Sequence, residues 1–255
     1  MSKKEREVMD DQIQDQVMTA DNSVELGFWG NFTNIFANPR RTFESLDKRP
    51  TWLMPMLILI LVTVITTQIA FPILMKAQME MLRNNPNIAP EQLQVIEQHM
   101  SEGVATQRIV TVVSQVIGTP LVFYLLLSFI FYFIGSVILG GDATFKKVLS
   151  VFSWSSCILI LASLVSFPLI LIKESMQVSI SPALLLSDDS VGTTLHTLLS
   201  KFDFFTIWFL AVFASGFAAI YKFSTAKAYI TVGVLWGIWI TLSTTLADVF
   251  SRFGM

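Results

Sequence analysis

The sequence is short of charge. Of its 255 residues only 14% are Asp, Glu, Lys or Arg, against about 25% in an ordinary soluble domain. The deficit falls in long stretches with no charge at all, while 53% of the chain is hydrophobic and the mean hydropathy is +0.61. That composition excludes an ordinary soluble domain and points to a polytopic α-helical membrane protein. Cysteine is nearly absent too. Cys157 is the sole one, so no intramolecular disulfide and no Cys-rich zinc or iron–sulfur centre can form. An excess of positive charge is also missing: 17 Lys and Arg stand against 19 Asp and Glu, for a net charge of -2. No nucleic-acid partner is expected from that balance. The first 27 residues lack the apolar core of a signal peptide, which leaves the first membrane helix to serve as the targeting signal.

What is present is a series of five apolar spans. They read as Trp52–Met75, a stretch within Ile109–Leu139, Val148–Ile172, Phe204–Tyr221 and Ala228–Phe250. The second exceeds the ~20 residues a crossing needs, and Gln115, Gly118 and Pro120 predict a kink or an extramembrane first turn in it. Eleven of the seventeen Lys and Arg precede the first span or lie in the 140–147 and 222–227 loops. By the positive-inside rule the N-terminus is then cytoplasmic and the C-terminus lies outside. The expected compartment is a bacterial inner membrane. The long 76–108 connection carries a helix signal, with Pro90 and Glu91 leading Leu93, Ile96 and Met100 on one stripe. The 173–203 connection, with Ser181-Pro182, Ser187-Asp188-Asp189-Ser190 and Gly192, reads as irregular.

Residues 1–27 read as a disordered tail of Asp, Gln and Glu, and 51–255 as the transmembrane domain. Between them, 28–50 shows helical spacing: Phe28, Trp29, Phe32, Ile35 and Phe36 share one face. Asn38 and Pro39 restart the chain as N-cap and first helical residue. Phe43 and Leu46 then fall on one side, ringed by Arg40, Arg41, Lys48 and Arg49. This segment is expected to lie in the membrane interface, apolar face to lipid and basic residues to anionic headgroups, against the alternative that this face packs on the protein's own helices.

Three pieces of sequence, in order, resemble the Yip family of multipass proteins, named for interaction with Ypt/Rab GTPases, in its bacterial form. They are Asn38-Pro39-Arg40-Arg41-Thr42-Phe43-Glu44 with Arg49-Pro50-Thr51-Trp52, then Gly140-Gly141-Asp142-Ala143-Thr144-Phe145, then Phe202-Asp203-Phe204-Phe205-Thr206-Ile207-Trp208. The resemblance covers about residues 28–250 and implies a five-helix topology. The chain departs from it with Ser155-Ser156-Cys157-Ile158, where many relatives carry a Ser-x-x-Pro-like element that would break the helix. It implies a scaffold of membrane shaping or trafficking. GTPase binding does not carry over, since no partner-binding motif is matched. Each motif also has a local physical role. Gly140-Gly141 can end span two through a left-handed cap. Asp142 is expected to cap span three and Asp203 span four, with Trp208 near the interface.

Polar residues inside spans raise a functional question by default. Gln68 in span one, with Thr244 and Asp248 in span five, is a candidate polar pocket opening outward, against a bland pairing of Asp248 with Arg252. Gly233 and Gly237 match a small-x-x-x-small pattern, expected to pack one helix closely on another within the protein. Met75, Met79, Met81, His99 and Met100 read as core filling rather than a copper site, so no metal or cofactor is expected. No zinc-protease helix, phosphate loop or Gly-x-Ser-x-Gly elbow occurs. Ser215, in Phe213-Ala214-Ser215-Gly216, has no histidine within a span to activate it. The chain therefore reads as a non-enzyme: an all-α bundle of five transmembrane helices that binds membrane lipids, or membrane proteins including itself, as a scaffold. The alternative is a carrier for lipid or a small solute along spans one and five.

Overall fold

The computed structural model describes residues 26–85, 88–175, 180–186 and 193–252, the last six of these and Leu121 by backbone alone. The expected tail, apart from Leu26 and Gly27, and Ser187–Ser190 with Gly192 lie outside the described residues. Among the described residues every regular element is a helix. Two ten-residue helices come first, α1 (Phe28–Ala37) and α2 (Pro39–Lys48). The first apolar span is α3 (Leu53–Ile69) followed by α4 (Phe71–Arg83). A connecting helix α5 (Pro90–Glu102) leads into the long α6 (Val104–Ile138). Then come α7 (Phe145–Ser155), α8 (Cys157–Lys173), a 3₁₀ turn at Pro182–Leu185, α9 (Thr194–Ser200), α10 (Phe204–Tyr221) and α11 (Thr225–Arg252). Four helices are long and apolar enough to cross a membrane, and a fifth is counted if the α3–α4 pair is one span.

Three of the spans are interrupted, each for a local reason. Between α3 and α4 the axis turns by 67°. Pro72 has no N–H for the carbonyl of Gln68 and disfavours helical geometry at Phe71, so the expected single span Trp52–Met75 is two helices. In α6 the stretch Ser114–Leu126 is π-helical around Gly118 and Pro120, where a kink was predicted. Between α7 and α8 the helix breaks at Ser156, although the proline of the family element is missing. Serine hydroxyls cluster around the break. Ser150, Ser155 and Ser156 each donate to the carbonyl four residues back, a bond that bends helices. The hydroxyl of Ser153 donates to the carbonyl of Trp52, tying α7 to the start of span one.

The core lies where α1, α2, α7, α10 and the second half of α6 meet. Phe152 of α7 is its centre, with ring centroids 5.2 Å from Phe123, 5.6 Å from Tyr124 and Phe209, and 5.5 Å from Phe213, all edge-on. Such pairs contribute about 0.5–1.5 kcal/mol each beyond area burial. The expectation that 28–50 lies on lipid as a separate interfacial unit is corrected here. Ile35, Phe43 and Leu46 are buried in this core, α2 packs along α10 and α7, and α1 packs on α2. An apolar helical face fixes that something covers it; here the cover is the protein's own aromatic helices.

Candidate functional site around the sequence motifs

The first motif forms the turn between α1 and α2. The side chain of Asn38 accepts from the N–H of Arg41 at 3.4 Å, with Pro39 at the first helical position. Thr42 donates to the carbonyl of Asn31 at 3.2 Å, closing the pair of helices. Phe43 then enters the core, and Arg40 and Arg41 stay exposed. One turn on, Asp47 accepts from Lys147 of α7 and from Lys222, just after α10, at 2.7 Å each. Burial opposes the charge of Asp47, but the hydrogen bonds and attraction of the two lysines outweigh it and hold its carboxyl below the usual range. One carboxylate thus joins the N-terminal helices to both tight loops.

The second motif ends α6. Gly140 takes a left-handed φ of +68°, and Gly141 donates to the carbonyl of Gly135 at 2.9 Å. Gly141 and Gly135 have a further task that spacing did not reveal. A Cβ on either would stand 2.4 Å from the ring of Tyr221, so the two glycines form the slot that admits it. The hydroxyl of Tyr221 meets Ser136 Oγ at 3.1 Å. Asp142 does not cap span three. The N-cap is Thr144, in extended geometry and without a side-chain bond, because the Gly-Gly turn carries the chain two residues further before the helix begins. Lys227 closes the same corner, its ammonium 3.8 Å from the centroid of Phe223 and donating to the carbonyl of Leu139 at 3.2 Å.

The third motif opens α10. Asp203 accepts from the N–H of Phe205 at 3.0 Å and of Thr206 at 3.2 Å, and its other oxygen accepts from Ile180 at 3.1 Å. Phe205 is buried, and Trp208 lies 6.1 Å from Phe36 of α1. At the far end, Gly216 is where α2, α7 and α10 approach most closely. A Cβ there would sit 2.5 Å from Val151 and 2.9 Å from Phe43. Neither Gly216 nor Asp47 stood out in the sequence. The repeat Phe209-Phe213-Phe217-Tyr221 is the signal that marks the packed stripe of α10.

The other candidate residues fare differently. Gly233 and Gly237 face open space, with nothing within 4 Å of a Cβ at either; the expected internal packing is not there, because α11 meets α10 and α9 along another face. Gln68 and Thr244 lie on helices that pack chiefly elsewhere, α3 on α8 and α6, and α11 on α10 and α9. Each has a buried polar atom without a partner, Gln68 Nε2 and Thr244 Oγ1. The side chain of Asp248 lies outside the described residues. The polar contact of span one is instead with span two, where Gln115 donates to Thr67 Oγ1 at 2.9 Å. Beside it runs a groove of about 540 Å³ lined by Gln78, Thr111, Ser114, Gln115 and Thr119.

A capped N-terminal hairpin, one packed Gly-Gly turn and a capped helix start thus occupy the three sequence motifs, with the shared Asp47 carboxylate beside the first. The Yip1 domain matches residues 33–247, from the middle of α1 into α11. The chain belongs to the Yip1 family. No curated protein and no solved structure matches it. Membership and the apolar helices make it an integral membrane protein, and the Yip1 domain includes every motif residue described above.

Proposed function

We propose that this Yip1 protein is a membrane scaffold: it holds membrane proteins or lipids together and catalyses no reaction. The observation that supports this most is the way the motif residues are used. Asn38, Gly140 and Asp203 cap or turn helices, Phe43 and Phe205 pack, and Asp47 pairs. Around Asn38, Gly140 and Asp47 lies a surface on which Arg40, Arg41, Lys48, Lys146 and Lys227 are exposed. A cationic surface at one end of a bundle suits anionic lipid and acidic segments of other membrane proteins. The N-terminus and this surface face the cytoplasm of a bacterial inner membrane.

The test is recovery of the full chain in lipid discs, followed by mass spectrometry of what accompanies it. A stoichiometric protein partner or self-association is expected, lost on charge reversal at Arg41 and Lys146. Removing 28–50 is not a clean test, because it takes Ile35, Phe43 and Leu46 out of the core. An unchanged set of partners after reversal contradicts the scaffold reading.

The 540 Å³ groove favours a second reading, a carrier whose path runs between spans one and two. In proteoliposomes Gln115→Leu then abolishes movement of the solute or lipid while abundance stays constant. Normal transport in that variant removes the carrier reading.

A further inference from the structure

A second groove, of about 330 Å³, lies between α2, the last turn of α10 and the first turns of α11. Arg40 and Lys222 line it with the carboxylate of Glu44 and the hydroxyls of Ser215, Thr225 and Tyr229. Both cations are mostly exposed, at 80% and 71% of their side chains. Each is held by one carboxylate and keeps donors to spare. Arg40 gives its Nε hydrogen to Glu44 at 2.9 Å, which leaves the four hydrogens of its terminal nitrogens. Lys222 gives one hydrogen to Asp47 at 2.7 Å and keeps two. The three hydroxyls have no hydrogen-bond partner among the described residues. Asp47 is shared with Lys147, so three cations face two carboxylates here and the local balance is positive.

The backbone adds a second observation. Lys222 adopts a left-handed φ of 56° after α10, and Phe223 donates to the carbonyl of Ala218 at 3.1 Å. That is the helix-ending turn in which glycine is the usual residue, and Gly140 fills it at the other tight loop. A lysine there bears steric cost, which is understandable where its ammonium is needed in the groove. From the groove, Ile230, Val234 and Ile238 of α11 run outward as an exposed apolar track.

We propose that this groove binds the phosphate of an anionic membrane phospholipid. Arg40 and Lys222 meet the phosphoryl oxygens, the hydroxyls of Ser215, Thr225 and Tyr229 bind the remaining oxygens of the headgroup, and an acyl chain follows the track on α11. The volume suits a headgroup, being near the lower limit of small-ligand sites. The proposal deepens the scaffold reading by naming a lipid and its site, and it is read without any protein partner.

The test uses the purified full chain in detergent, titrated with phosphatidylglycerol, phosphatidylcholine or inorganic phosphate and followed by native mass spectrometry. Preference for phosphatidylglycerol over phosphatidylcholine is expected. Arg40→Gln and Lys222→Gln each weaken it about fivefold. Lys173→Gln, which removes the same charge at an exposed site away from the groove, leaves it intact. Tyr229→Phe and Arg40→Gln spare the Asp47 pairs and decide the matter if Lys222→Gln fails to fold. Displacement of the lipid by inorganic phosphate assigns recognition to the phosphoryl group alone; retention of the lipid assigns it to headgroup and chain together. Wild-type binding by both Arg40→Gln and Tyr229→Phe overturns the proposal. So does an equal loss in Lys173→Gln, which reports diffuse surface charge.

Discussion

The two ends of this bundle are built on different terms. Where α2, α7 and α10 meet, helices touch through glycine and aromatic rings interlock around Phe152. At the other end, α3, α8 and α11 expose Leu61, Ile65, Leu164, Ile172 and Leu242, and Gly233 and Gly237 meet nothing. Buried polar atoms with no partner occur in both regions, on Gln68, Gln115, Trp236 and Thr244 there and on Asn31, Tyr124 and Ser128 in the packed one, which adds helix caps and one shared carboxylate. In lipid the apolar effect gives helices little reason to associate, and close packing decides. The packed end therefore sets the fold, and the open end is free to meet lipid or another chain.

The largest expected contrast is between glycines. Gly216→Leu forces a side chain into Val151 and Phe43 and should cost about 3 kcal/mol or more. Gly233→Leu, with open space before it, should change thermal stability in detergent by less than about 0.5 kcal/mol. Equal losses would erase the distinction between the two ends. Next, Phe152→Ala leaves a cavity under four rings and should cost about 3 kcal/mol, while Phe129→Ala, exposed on α6, should cost under about 1 kcal/mol in the same denaturation series.

Asp47→Asn comes third, at about 1–2 kcal/mol, because two lysines lose a charged acceptor. It also carries a pH signature. The folded pKa of Asp47 lies below its ordinary value of about 3.9. Its contribution is therefore complete above that ordinary value and lost as pH falls through the lower folded one. An acid titration of stability should show this arm below about pH 4 in the wild type and not in Asp47→Asn. The smallest effect belongs to the open end. Gln115→Leu removes one hydrogen bond to Thr67 together with an enclosed, unpartnered amide oxygen, and the two should offset to within about 1 kcal/mol.

Helix positions were largely legible in the sequence. Span four is found where expected, at Phe204–Tyr221, and so is the connecting helix Pro90–Glu102, since uncharged runs and proline-led stripes are local signals. The caps at Asn38 and Asp203 were readable for the same reason. Neighbours were not. Periodicity showed an apolar face on 28–50 but could not distinguish lipid from Phe213 as its cover, as both are apolar. Gly216 and Gly233 are the same residue in similar helices, and only the approach of Phe43 and Val151 separates them. Gln68 and Asp248 looked like partners because both are polar and near one leaflet, yet span one packs chiefly on spans two and three, and span five on span four. The helix also breaks at Ser156 without the proline that the resemblance led one to expect there, beside serine hydroxyls bonded to the preceding turn.

The central claim is that the N-terminal helices are part of the packed core. Hydrogen exchange of the full chain in lipid discs tests it directly, by comparing α2 with α10 and with α5, which has no buried residue. The account predicts that Phe43–Leu46 exchanges as slowly as Phe213–Phe217, because one cooperative unit contains both. Exchange of α2 at the rate of α5, with α10 still protected, would place the N-terminal helices on the surface and contradict it.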